Sequence, residues 1–190
     1  MRFEVRFHGR GGQGVVTAAE LLSVAAFDQG EHAQAIPSFG SERTGAPVVA
    51  YCRISDQPIR SHDPITTPDA IVVQDPTMLH VAGVLDGVAA GGVVLVNSSR
   101  SAEELGLDGR GFRVLTIPAT DLARRRLGRP LPNTALLGAL AGITGIVTVE
   151  SLGQAMQQRF RGQAGQLNAW LAADGFALAA EEGRNNALAG

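Results

Sequence analysis

From His8 to Leu22 the chain reads HGRGGQGVVTAAELL, an alternating strand that runs into four glycines and then into a helical pattern. No other stretch constrains the fold as strongly. Gly9, Gly11 and Gly14 fall on the G-x-G-x-x-G spacing, with Gly12 added, so the backbone can turn tightly, approach a phosphate without side chains in the way, and begin a helix at once. Free N–H groups at that helix start, together with the positive end of the helix dipole, favour negative oxygens. The competing reading of the same residues is a tight strand-to-helix turn with no ligand.

Before the junction, Phe3, Val5 and Phe7 alternate with Arg2, Glu4 and Arg6, which predicts a strand over Arg2–His8 with one face on the core. After it, Val15, Val16, Ala19, Leu22 and Ala26 recur at helical spacing up to Phe27, with Gly30 as a stop. A second strand is predicted over Ala33–Ile36. A dinucleotide-binding unit would place an acid near the end of that strand for the ribose hydroxyls, but the chain there reads Ile36-Pro37-Ser38. The missing acid argues against an ordinary NAD site.

The loop SFGSERTGAP follows, from Ser38 to Pro47. Arg43 is a bidentate donor suited to phosphate or carboxylate, with Ser38, Ser41 and Thr44 beside it; alternatively Glu42 satisfies Arg43 locally and the loop merely connects. Val48–Ile54 is predicted as a strand, forming a hairpin with the segment at Ile59 around Ser55 and Asp56. Within it Cys52 reads as a small buried hydrophobe rather than a nucleophile.

Ala70–Val73, a helix-like stretch from Thr77 to Ala90, and the near-continuously apolar Val93–Val96 read as strand, helix, strand. Asp75, Asn97 and Ser98 then fall at the carboxyl ends of parallel strands, where open α/β sheets bind ligands, although Asp75 suits a cap equally. Phe112–Ile117 is a further strand, followed by a helix capped at Thr120 or Asp121. The arginines at its far end, Arg124, Arg125, Arg126 and Arg129, either complement the helix dipole or dock an acidic partner. Asn133 opens the apolar helix ALLGALAGITGI as a cap, or points its amide at a ligand. Helices over Ser151–Phe160, with a capping box from Ser151 to Gln154, and over Gln163–Ala180 close the chain, leaving 181–190 as a loose or partner-bound tail.

With 45% hydrophobic content, 190 residues bury one substantial core, so residues 1–190 are read as a single domain. The predicted class is α/β: a mostly parallel, Rossmann-like sheet flanked by helices, with a hairpin insertion and C-terminal helices. A net charge of −2 provides no broad basic field, and nucleic acid is not an expected partner. All 16 basic residues are arginines, which removes lysine Schiff-base and P-loop lysine chemistry. The single cysteine cannot by itself hold an iron–sulfur cluster or a structural zinc, and neither a metal site nor a catalytic residue is predicted. No signal-peptide core or membrane span is expected, and the protein is read as cytoplasmic. Among the scattered histidines only His8, abutting the glycines, invites a test.

GRGGQGVVTAAELL, SFGSERTGAPVVAYCRISDQPI and PNTALLGALAG together resemble the gamma subunit of 2-oxoacid:ferredoxin oxidoreductases, the group containing pyruvate synthase and arylglyoxylate relatives. The likeness spans nearly the whole chain. It implies a small α/β subunit that assembles with alpha and beta subunits holding thiamine diphosphate, with a ferredoxin-like delta subunit holding iron–sulfur clusters and with an electron-transfer subunit as a further partner, with ferredoxin or NAD as acceptor. The chain itself carries neither a cluster-binding cysteine set nor a G-D-G element followed by N-N. The resemblance further implies coenzyme A at or near this chain. The residues matching that role by motif position are Gly9, Arg10, Gly11, Gly12, Gln13 and Gly14, with Ser38, Ser41 and Arg43 in the following loop and Asn97 and Asn133 at the cleft. Thr44 departs from the pattern, standing where many relatives are expected to carry a second arginine. Two other readings remain open: a purely structural assembly subunit of the same kind of complex, and a stand-alone nucleotide- or flavin-binding protein.

Overall fold

The computed structural model describes residues 1–37 and 44–188, with side chains described up to residue 182. In chain order come β1 (Arg2–Arg10), α1 (Val15–Asp28), β2 (His32–Pro37), β3 (Pro47–Ser55), β4 (Ala70–Val73), β5 (Val93–Asn97), β6 (Arg113–Ile117), α2 (Ala119–Leu127), α3 (Asn133–Thr144), α4 (Val149–Arg159) and α5 (Gln163–Leu188). The strands form one sheet in the order β2-β3-β1-β4-β5-β6. Pairing is parallel from β1 through β4 and β5 to β6, and antiparallel on both sides of β3. The single α/β domain with a mostly parallel sheet is the predicted class.

The helices share one face of the sheet. Phe7, Val72, Leu95 and Ile117 on that face pack with residues from all five helices, among them Leu22 of α1 and Leu140 of α3. The opposite face, where Ile71, Val73, Val94 and Val96 project, is covered by irregular chain carrying Met78, Val84 and Leu107. Strands buried on both sides read as continuous apolar runs, which is why AIVV and VVLV were legible.

Two buried arginines hold that irregular cover in place. Arg6, only 8% exposed, donates to the carbonyls of Ile65 (3.4 Å), Val84 (3.1 Å) and Asp86 (2.5 Å). Arg53 donates to the Glu4 carboxylate at 2.5 Å and to the carbonyls of Ser61 (2.9 Å) and Asp63 (3.1 Å). These bonds explain two corrections to the sequence reading. The helix expected from Thr77 to Ala90 shrinks to a 3-10 turn over Pro76–His80. The carbonyls of Val84 and Asp86, which a continuing helix would need, turn inward to Arg6 instead. The hairpin expected between Val48–Ile54 and Ile59 does not form, because β1 and β2 already occupy both edges of β3 and Arg53 draws the chain after Ser55 across the face.

Helix ends also differ from expectation. Thr148 rather than Ser151 caps α4, accepting from the Ser151 N–H at 3.1 Å, and α2 starts behind Pro118 with neither Thr120 nor Asp121 as its cap. Glycines bring α3 and α5 unusually close: a Cβ on Gly138 would lie 1.8 Å from the Ala172 carbonyl oxygen, and one on Gly175 would lie 2.0 Å from that of Ala135. The last helix runs on to Leu188, into the stretch expected to be a loose or partner-bound tail.

Candidate functional site

The glycine loop leaves β1 at Arg10 and is pinned at its near side. The Gly11 N–H donates to the Ala46 carbonyl (2.9 Å), the Gly45 N–H donates to the Gly11 carbonyl (3.1 Å), and Gln13 N–H closes a turn onto Arg10 (3.1 Å). Gly14 then adopts φ 72°, a left-handed conformation open to glycine at little cost, and α1 begins at Val15. The first intrahelical bond runs from Ala18 N–H to the Gly14 carbonyl at 2.9 Å. The N–H groups of Val15, Val16 and Thr17 therefore have no partner within the helix. Among the described residues no side chain caps them, and no acid stands in the first turn. They face an open concavity of about 270 Å³ lined by Gly11, Gly12, Gly14 and Val48. An uncapped positive helix end beside side-chain-free backbone is a receptor for an anion.

The residues singled out from sequence divide by what they now touch. Gln13 braces the loop: its Oε1 accepts from Arg10 N–H (2.8 Å) and its Nε2 donates to Asp75 (2.9 Å). Arg10 spans from the loop to the 3-10 turn, donating to Thr77 Oγ1 (2.7 Å) and the Gly45 carbonyl (3.1 Å), 3.4 Å from Asp75. Asp75 caps that turn by accepting from Thr77 N–H at 2.9 Å. Burial works against its charge, but hydrogen bonds from Thr77 and Gln13 and the charge of Arg10 hold its carboxyl below the usual value.

Asn97 does not face the concavity. Its amide joins the Gln74 carbonyl (2.8 Å) to Thr120 Oγ1 (2.8 Å) and accepts from Thr120 N–H (3.1 Å), tying the ends of β4 and β5 to α2. Asn133 is brought to the glycine loop from 119 residues away, its Nδ2 donating to the Gly14 carbonyl at 3.3 Å rather than capping α3. A Cβ on Gly9 would lie 2.7 Å from Val15 Cγ2, so that glycine serves strand-to-helix packing. Ser38, Ser41 and Arg43 lie outside the described residues. Cys52 is fully buried, and burial pushes its thiol up. Thr17 borders the loop as the third residue of α1, and Arg129 reaches its rim only through tertiary contacts that periodicity could not reveal.

His8 is 5% exposed, with Nε2 accepting from Arg6 Nε at 3.0 Å and Nδ1 without a partner among the described residues. Burial, then the neighbouring Arg6 charge, lowers its pKa from 6.5 to about 4. As pH falls below 6.5 the unfolded chain takes up this proton while the folded chain resists it until about 4, so stability falls through that window. The expected loss from this group between pH 7 and pH 5 is about 2 kcal/mol. Urea unfolding of wild type and His8→Gln at the two pH values checks it: the variant, which keeps an acceptor for Arg6 but no titrating ring, loses correspondingly less on acidification.

Comparison with known proteins adds sequence and fold similarity to this geometry. A family model described as pyruvate ferredoxin/flavodoxin oxidoreductase matches residues 4–178. The common gamma subunit of pyruvate/ketoisovalerate oxidoreductases from Thermococcus kodakarensis is 47% identical over 175 residues, covering 91% of this chain and 95% of the relative. The crystal structure of pyruvate oxidoreductase subunit PORC from Thermotoga maritima superposes with a TM-score of 0.83 at 35% identity, covering 93% of this chain and 96% of that one. A 2-oxoglutarate:ferredoxin oxidoreductase from Magnetococcus marinus, solved with 2-oxoglutarate, coenzyme A and succinyl-CoA, shares the fold at 17% identity and TM-score 0.75, with 94% of this chain covering 31% of that chain.

Proposed function

The chain belongs to the pyruvate ferredoxin/flavodoxin oxidoreductase family as a gamma subunit, and from that membership we propose that its own part in the complex is to hold coenzyme A at the glycine loop. The observation that carries this is the start of α1, where among the described residues the helix has no side-chain cap and no first-turn acid, so its three leading N–H groups face the concavity beside Gly12 and Gly14. A diphosphate supplies the oxygens those donors lack. Alpha and beta subunits with thiamine diphosphate then carry out the decarboxylation, a ferredoxin-like delta subunit with iron–sulfur clusters takes the two electrons toward ferredoxin or NAD, and the acyl group passes to the thiol. The presence of coenzyme A in the Magnetococcus marinus enzyme of this fold supports the assignment.

Calorimetric titration of coenzyme A into the assembled complex tests it with Gly12→Ala. Gly12 sits at φ 92° with nothing among the described residues within 4 Å of the place a Cβ would occupy, so the added methyl acts through backbone strain. That strain costs about 1 kcal/mol or more and is relieved by rotating the loop out of its anion-facing shape. Affinity is expected to fall roughly five- to tenfold, with thiamine content and the 2-oxoacid KM unchanged. Unchanged affinity would overturn the proposal and leave the chain an assembly subunit.

A further inference from the structure

A second concavity meets the glycine loop along Gly12, Gly14 and Thr17. It is a groove of about 540 Å³ between the end of α2, the start of α3 and the α4–α5 junction. Its walls are apolar, formed by Leu127, Leu131, Phe160 and Leu167. Among the described residues no acidic side chain lines it, and its one cation is Arg129. Two neighbouring arginines of the same run are engaged elsewhere: Arg124 pairs with Asp121 at 3.2 Å, and Arg126 grips Asp174 at 2.6 Å and lies over the Trp170 ring, whereas Arg125 makes no ion pair among the described residues and does not line the groove. Arg129 makes no ion pair or side-chain hydrogen bond among the described residues, and neither does Gln163 beside it. Asn133 uses its Nδ2 on Gly14 and keeps its Oδ1 free, whereas Asn168 is committed to Thr134 and Ala164.

The groove thus offers apolar walls, a free amide, a free acceptor and one uncompensated guanidinium, all continuous with the bare helix end. We infer that it receives the adenosine 3′-phosphate end of coenzyme A, with Arg129 pairing the 3′-phosphate and the diphosphate lying at the shared rim. The inference rests on the coenzyme A reading of the glycine loop and adds a direction to it: the nucleotide lies toward α2 and α5, and the thiol arm leaves over Val48 at the start of β3. Arg129 thereby becomes the residue that distinguishes coenzyme A from its 3′-dephospho form, because a guanidinium recognises a phosphate dianion by charge and paired N–H groups together.

Steady-state kinetics of the assembled complex with coenzyme A and with 3′-dephospho-coenzyme A provide the test. Wild type is expected to show a KM for the dephospho form about tenfold above that for coenzyme A, the effect of one charge-assisted contact. Arg129→Gln should raise the coenzyme A KM about tenfold, leave the dephospho KM and both kcat values unchanged, and so abolish the preference. If Arg129→Gln keeps the wild-type preference while Thr17→Glu weakens both substrates, the groove assignment is overturned and the glycine-loop reading stands. If Thr17→Glu also leaves both KM values unchanged, that reading falls and the groove assignment falls with it.

Discussion

Replacing Gly138 by alanine is expected to destabilise the protein by about 3 kcal/mol or more, although alanine is the better helix former. Intrinsic propensity alone favours the change by up to about 1 kcal/mol. The added Cβ, however, would sit 1.8 Å from the Ala172 carbonyl oxygen and 2.6 Å from its carbonyl carbon. Those are backbone atoms of α5, so no rotamer change relieves the clash and the whole helix must move. That motion would also open the reciprocal contact in which Gly175 approaches Ala135, since both lie along the same α3–α5 seam. Gly153→Ala in α4 supplies the opposite sign. Its Cβ would find only Ala169 Cβ at 3.6 Å, an ordinary contact, so the propensity gain survives and stability should rise by about 0.5 kcal/mol. Thermal unfolding of the two variants beside wild type checks both signs, with a drop of roughly 10 °C expected for Gly138→Ala. A Gly138→Ala protein as stable as wild type would mean that the helices do not pack at this separation.

That contrast marks what the sequence could disclose. ALLGALAGITGI announced a buried helix with small residues for a close neighbour, but not that Ala172 and Gly175 were the neighbours. β4 and β5 were legible because burial on both faces leaves no alternation to disguise, and the glycine loop was legible because its chemistry is contained within a few consecutive residues. The irregular cover over the second sheet face was not. Arg6 and Arg53 stand at positions that alternate with apolar ones, the pattern of a wet strand face, yet both are buried and spend donors on backbone carbonyls, those of Arg6 far along the chain and those of Arg53 in the segment after β3. Arg10, matched to coenzyme A by motif position alone, bridges Thr77 and Gly45. Among the described residues the donors left at the loop are backbone amides, and Arg129 has no local signal tying it to them.

Thr17→Glu is expected to raise the KM for coenzyme A on the order of 100-fold while leaving the fold intact or slightly firmer. Thr17 is half-buried, third in α1, and borders both concavities at the glycine loop. A carboxylate in the first turn of a helix interacts favourably with the dipole, by about 0.3–1 kcal/mol, and α1 has no acid there now. The same charge would stand within several ångströms of a diphosphate bound to the leading N–H groups. At an effective dielectric constant near 20, repulsion between single charges at that range is about 3 kcal/mol, enough for a two-decade loss. The two consequences have opposite signs, so a loss of coenzyme A use cannot be traced to unfolding if the melting temperature holds or rises. Thr17→Gln, similar in size but neutral, should shift the KM less than about threefold. A glutamate variant that keeps wild-type KM for coenzyme A would show that the bare end of α1 receives no phosphate in the assembled enzyme.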